Sequence, residues 1–256
     1  MTVKFTATKL EAKGLKGILN PDSNGYYELV IGGLNTLNSA GEYYTLEGAK
    51  ELFEQSSVFM RRVASGNLRG ELGHPKKLPG QTMNDFFTRI MGIHEDNVCC
   101  HFSEVWLDLN YGKNNPQFNN PDLVAIMAKV KPAGPKGFVL EQSLRNPKEN
   151  TCFSIRALTK DYMAKGRVNR VLQQIVCWDY VNEPGLALAN KYDSPALEEL
   201  KLETITEALI TETMVNKSIE ELKGAPVATE DTKILLNETK KIFNVTEHIK
   251  PISFKW

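Results

Sequence analysis

The sequence predicts an α+β fold with a sheet or barrel core, a few flanking helices and a helical C-terminal appendage. Three observations carry this. Residues 26–31, 86–93, 98–109, 123–130, 151–158 and 171–181 are apolar, β-prone and non-repeating, and Asn, Gly and Pro separate most of them. Helical spacing is confined to the flanks: residues 45–64, a short piece at 137–144, and the chain beyond Tyr192. With 256 residues, 41% hydrophobic and 24% charged, the chain suits one globular domain, 1–192, and an appended tail, 193–256.

Composition removes several functional classes. Lys+Arg and Asp+Glu both total 31, so no net field draws nucleic acid or an anionic membrane surface. No run approaches the ~20 apolar residues of a membrane helix, and residues 1–18 lack the continuous apolar core of a signal peptide. Cys99, Cys100, Cys152 and Cys177 have no framework spacing and fit buried thiols in a reducing compartment. His94, Cys99, Cys100 and His101 match no closed metal-site pattern, so neither a metal nor a cofactor is expected.

Along the chain, Thr45 reads as a helix N-cap, with Leu46, Ala49, Leu52 and Phe53 at helical spacing up to about Ala64. Residues 75–85 are polar around Pro79-Gly80, a turn or flap. Residues 111–121 read as a loop, and 159–170 as a polar connection between two strands. Ser194-Pro195 opens a helix carrying Leu197, Leu200, Ile205 and Leu209; Gly224-Ala225-Pro226 ends it, and a second helix covers 229–243.

The chemistry-bearing stretch is Gly70-Glu71-Leu72-Gly73-His74-Pro75. Proline holds the residue before it extended, and the glycines permit sharp turns, so the imidazole of His74 is aimed; an ordinary polar turn is the competing reading. Serine hydrolysis of an amide needs a hydroxyl, a base and a group that orients the base. Ser154 is a candidate hydroxyl in a β-prone run, against the reading of a satisfied core serine. Arg156 shares its strand face and is a candidate for oxyanion support. Asp179, between Trp178 and Tyr180, is a candidate orienting acid or a structural ion-pair member.

Together these segments resemble the prohead maturation proteases of tailed phages, serine proteases of the assemblin-like class related in fold to herpesvirus capsid-maturation enzymes. Gly70 to Pro75 matches the family's Gly-Glu-Leu-x-His-Pro at every fixed position. Ser154-Ile155-Arg156-Ala157-Leu158 aligns with its Ser-Ser-Arg-Gly-Leu run, and Trp178-Asp179-Tyr180-Val181 with Pro184 aligns with its Val-Asp-x-Val strand end. The Asn-Ser-Ala-Gly-Glu-Tyr-Tyr run from Asn38 is similar to the family's Asn-rich loop, and the resemblance covers about residues 15–192. Ile155 and Ala157 depart from a family Ser and Gly, so the family's oxyanion donors are not carried over.

The resemblance implies a mostly antiparallel sheet or barrel, with His74 as general base, Ser154 as nucleophile and Asp179 as third member. His101 is the alternative third member, by analogy with the second histidine of the herpesvirus enzymes; a carboxylate stabilises an imidazolium better. Cys152 is a weaker nucleophile candidate than Ser154. The implied activity is cleavage after Glu of phage scaffold, core and major capsid proteins inside the immature prohead in the host cytoplasm. Lys76, Lys77, Arg145 and Arg156 are candidates by charge for selecting that Glu. The tail carries five apolar-x-Glu sites, ending at Glu199, Glu207, Glu212, Glu221 and Glu238, which point to self-removal. A histidine base is lost to protonation below about pH 6–7. The other reading is an inactive prohead core or scaffolding protein that keeps the protease fold; a homo-oligomer is compatible with either.

Overall fold

The structure is a computed structural model that describes residues 2–9, 19, 21–146, 148–191, 203–223 and 230–245. In chain order its elements are β1 (Thr2–Lys9), β2 (Tyr27–Leu34), β3 (Thr36–Leu37), β4 (Tyr43–Tyr44), α1 (Ala49–Leu52), α2 (Val58–Ala64), β5 (Arg69–Glu71) and α3 (Met83–Met91). There follow β6 (Val98–Asp108), α4 (Tyr111–Asn114), β7 (Val124–Pro132), α5 (Gly137–Arg145), β8 (Cys152–Ala164), β9 (Arg167–Val181), β10 (Glu203–Thr211), α6 (Glu212–Lys223) and α7 (Glu230–Val245).

The fold is α+β, as the pattern of runs requires, and is built on two separate sheets with no closed barrel. One has the order β10-β1-β8-β9-β4-β3, the other β2-β7-β6-β5. Every pairing within them is antiparallel except β4 with β9. Aromatic residues fill the space between the sheets: Phe102 of β6 meets Phe153 of β8 and Trp178 of β9, at centroid distances of 6.1 and 6.3 Å. The sheets are also stitched at one edge, where Leu72 bridges Tyr180 in parallel and Gly73 N–H donates to Tyr180 O at 2.7 Å.

Five sequence expectations give way to the structure. Residues 86–93 belong largely to a helix, not a strand: Thr82 and Asp85 form a reciprocal capping box, and Phe86, Phe87, Ile90 and Met91 are buried along one helical face. A short apolar run fits either period, and the cap decides. The helix expected over 45–64 is broken into α1 and α2. Gly48 takes φ 75, and Ser57 starts α2 by accepting from Met60 N–H, while Thr45 Oγ1 turns to the carbonyls of Glu47 and Arg170.

The polar segment 159–170 is not a connection but the far half of a long hairpin, in which β8 and β9 stay paired from Cys152↔Val181 to Ala164↔Arg167. Lys165 (φ 54) and Gly166 (φ 71) make the left-handed two-residue turn that such a hairpin needs. Its polarity reflects exposure at the tip, where Met163 is 70% exposed.

Among its described residues the tail is helical only from Glu212. Over Glu203–Thr211 it is a strand, paired with β1 from Thr2↔Thr211 to Lys9↔Glu203; the rest of the expected helix, 194–202, and the break at Gly224-Ala225-Pro226 lie outside the described residues. Ile210, Val215, Leu235 and Leu236 are buried in the same cluster as Trp178. Residues 111–121, read as a loop, hold the single turn α4 and a short 3-10 turn.

Candidate active site

β5 brings the His74 turn to the end of β9, and its glycine explains how closely. A Cβ on Gly70 would lie 2.1 Å from Trp178 O and 2.7 Å from Cys100 Sγ, so only a hydrogen fits between β5 and β9. Gly73, at φ 75, then turns the chain, and Pro75 is buried behind His74. The exposed residues Lys76 to Gly80 follow as a loop over the surface.

His74 Nδ1 lies 2.8 Å from Asp179 Oδ2, with the carboxylate fully buried and the imidazole 14% exposed. An ionised carboxylate only accepts, so Nδ1 carries the proton and Nε2 of the neutral ring has its lone pair free. Nε2 is buried and makes no hydrogen bond among the described residues. Asp179 is the direct cross-strand partner of Ser154 in the β8–β9 ladder. Opposed residues in such a ladder share a face with Cβ atoms about 4.5–5.5 Å apart, which sets the serine beside the carboxylate that holds His74. The three side chains that the sequence singled out therefore gather at one end of β8 and β9. No hydrogen bond joins Ser154 Oγ to His74 Nε2; sites without substrate are often this loose.

Asp179 is held by five donors. Oδ1 accepts from Glu71 N–H (3.1 Å), Arg156 Nη2 (2.6 Å) and Cys177 Sγ (3.3 Å). Oδ2 accepts from His74 Nδ1 (2.8 Å) and Arg156 Nε (2.9 Å). Burial works to raise its pKa, but the Arg156 charge and the His74 hydrogen bond outweigh burial and hold the carboxyl well below the usual carboxylate range.

Arg156 does not face a reacting carbonyl. Its Nη1 donates to Ile90 O (3.2 Å) and Gly92 O (2.9 Å), and its Nη2 also lies 3.2 Å from Glu71 Oε1. With every nitrogen directed at Asp179, Glu71 or a main-chain carbonyl, and the side chain 0% exposed, the guanidinium has nothing to offer an oxyanion. The expectation of oxyanion support yields to the stronger claim of a buried carboxylate on a buried cation.

His101 is not brought to His74. It lies on β6, where Nδ1 is 3.0 Å from Tyr26 OH and Nε2 2.9 Å from Gly66 O, so both ring nitrogens are engaged elsewhere. The expected alternative third member thus makes no bond to His74, whose Nδ1 faces Asp179. Cys152 is buried, and burial pushes its thiol up to about 12, which leaves almost no thiolate near neutral pH. Arg145 is ion-paired with Glu141 on α5.

Two residues escaped the sequence reading. Glu71 was visible only as the carboxylate of the motif; it is fully buried and accepts from both Arg89 Nη atoms, His94 N–H (3.0 Å) and Asn97 Nδ2 (3.0 Å). Arg89 sits in the stretch misread as a strand, so no face could be assigned to it. Beside the serine, a shallow and mostly apolar depression runs between residues 31–34 of β2, residues 153–155 of β8 and Leu186.

A family model described as the Peptidase S80 family matches residues 5–242. The chain is 38% identical over 188 residues to a capsid maturation protease of Pseudomonas phage phiKZ, covering 72% of this chain and 67% of that one. Among solved structures it is similar to the bacteriophage T4 capsid assembly protease gp21, at TM-score 0.43 and 14% identity over 70% of this chain and 98% of the other.

Proposed function

We propose that this chain, which belongs to the peptidase S80 family, is a serine endopeptidase of phage prohead maturation. The observation that carries the mechanism is the bond from His74 Nδ1 to Asp179 Oδ2, with Asp179 opposed to Ser154 across the ladder. Asp179 fixes the tautomer and orientation of His74, leaving Nε2 as the base. Nε2 takes the proton of Ser154 Oγ as that oxygen attacks the scissile carbonyl. It then gives the proton to the leaving amine, and an acyl-enzyme remains. Water, activated by the same nitrogen, releases the acid and restores the hydroxyl.

The capsid maturation activity in the name of the phiKZ relative supports phage capsid and scaffold proteins as substrates. Work inside the prohead in the host cytoplasm follows from that substrate class. Cleavage after Glu rests on the motif resemblance; Lys76 and Lys77, exposed just after Pro75, are candidates by charge for selecting it. Among the candidate self-cleavage sites, the one ending at Glu212 falls at the junction of β10 and α6, while those ending at Glu207, Glu221 and Glu238 lie within β10, α6 and α7. The site ending at Glu199 lies outside the described residues.

The test is intact mass. Purified protein should lose C-terminal residues and expose a new C-terminal Glu, whereas Ser154→Ala stays full length. Equal masses for the two would count against both the nucleophile and self-processing.

A further inference from the structure

We infer that Arg89 and Glu71 are positioning residues for the proposed triad, acting with Arg156 through Asp179. The inference rests on the reading of Ser154, His74 and Asp179 given above, and adds a layer behind them. Two carboxylates and two guanidiniums form one cluster under the site: Arg89 on Glu71, Arg156 on both Glu71 and Asp179. Its formal charge is zero, so it can be buried where a lone carboxylate could not. Glu71 is held below its usual carboxylate range: burial opposes this, but the Arg89 hydrogen bond and the Arg156 charge prevail.

Geometry shows why the cluster bears on orientation. Oδ2 of Asp179 is shared between Arg156 Nε and His74 Nδ1, so a tilt of the guanidinium tilts the imidazole. Arg156 is fixed in turn by Glu71 Oε1 and by the carbonyls of Ile90 and Gly92. Arg89 holds two of these three anchors as well, donating to both Glu71 oxygens and to Gly92 O at 3.2 Å. Glu71 also gives Asp179 its own main-chain N–H at 3.1 Å. The motif carboxylate, three residues before His74, thus locks the acid that the histidine leans on. Buried ion pairs of this kind are often no better for stability than packed apolar side chains. What apolar residues could not supply is a fixed direction for Oδ2.

Arg89 is the lever to test, because its side chain is 17% exposed and lies one step further from Asp179 than Arg156. The experiment compares wild type, Arg89→Met, Arg89→Lys and Glu71→Gln, with folding checked by thermal melting. The first readout is the rate of fluorophosphonate attachment to Ser154, split into a maximal rate and a half-saturating concentration. The second is the downfield proton resonance of His74 Nδ1–H. In folded Arg89→Met the maximal rate should fall about tenfold to a hundredfold, as for a slightly misplaced reacting group. Half-saturation should stay unchanged, and the proton resonance should weaken.

Arg89→Lys should recover part of the rate, since it restores the charge without the two-pronged geometry. Glu71→Gln, close to the native shape, should weaken the same resonance. A folded Arg89→Met with wild-type labelling and an unchanged resonance overturns the inference, as does a rate loss that only tracks the unfolded fraction. Wild-type protein that fails to label, yet whose resonance weakens in these variants, upholds the positioning role and sinks the peptidase reading instead.

Discussion

Residues 70–75 of the candidate site and the C-terminal segment are built from determinants of different range. Residues 70–75 carry much of their geometry in the chain itself: a glycine at φ 75 and a proline behind the histidine. Residues 203–211 carry almost none. They become a strand because β1, some two hundred positions away, lies alongside them. Local steric rules read the first region; only the assembled sheet reveals the second. Where a motif fixes its own backbone, sequence reasoning reaches the local geometry. Where a segment borrows its conformation from a distant partner, helical spacing of Leu and Ile misleads, because propensity is a weak prior beside tertiary pairing.

The sharpest way to break this comparison is to cut the chain after Lys191. This removes β10, α6 and α7, and with them the buried Ile210, Val215, Leu235 and Leu236. Each fully buried side chain of this kind contributes about 1.5–3 kcal/mol, against a total stability of about 5–15 kcal/mol for a typical domain. The truncated protein should lose its cooperative melting transition. A sharp melt close to that of the full chain would support the tail as an appendage to residues 1–192. A tail removed by self-cleavage would leave behind a weakened protein, so mass and melting should be followed together.

The central region can be probed more gently with acid. Asp179 and Glu71 both have folded pKa values below their unfolded ones, so they contribute stability that is fully present above about pH 4 and lost as the pH falls toward the folded values. The melting temperature should decline below about pH 4, with a shallower decline in Asp179→Asn. The same decline in that variant would assign the acid sensitivity to other carboxylates.

Parts of the fold were readable for plain reasons. The β6, β7, β8 and β9 runs are dense in β-branched and aromatic residues, and α5 is bounded by Gly, Pro and Asn. α3 was not, because its Phe86-Phe87 pair fits a strand unless the Thr82–Asp85 cap is recognised. In the candidate site, His74, Ser154 and Asp179 were singled out by the motif resemblance, since residue type alone left Ser154 and Asp179 with structural readings. Arg156 was placed on the correct face but given the wrong task, since strand alternation says which side a residue is on and not what it touches there. Arg89 was invisible because its helix was.

The most direct test of the account is the site and rate of attachment of a fluorophosphonate, read by peptide mapping. Wild-type protein should carry a single adduct on Ser154, and His74→Ala should slow its formation by orders of magnitude. An adduct elsewhere, or equal rates in wild type and His74→Ala, would contradict a hydroxyl activated by that imidazole.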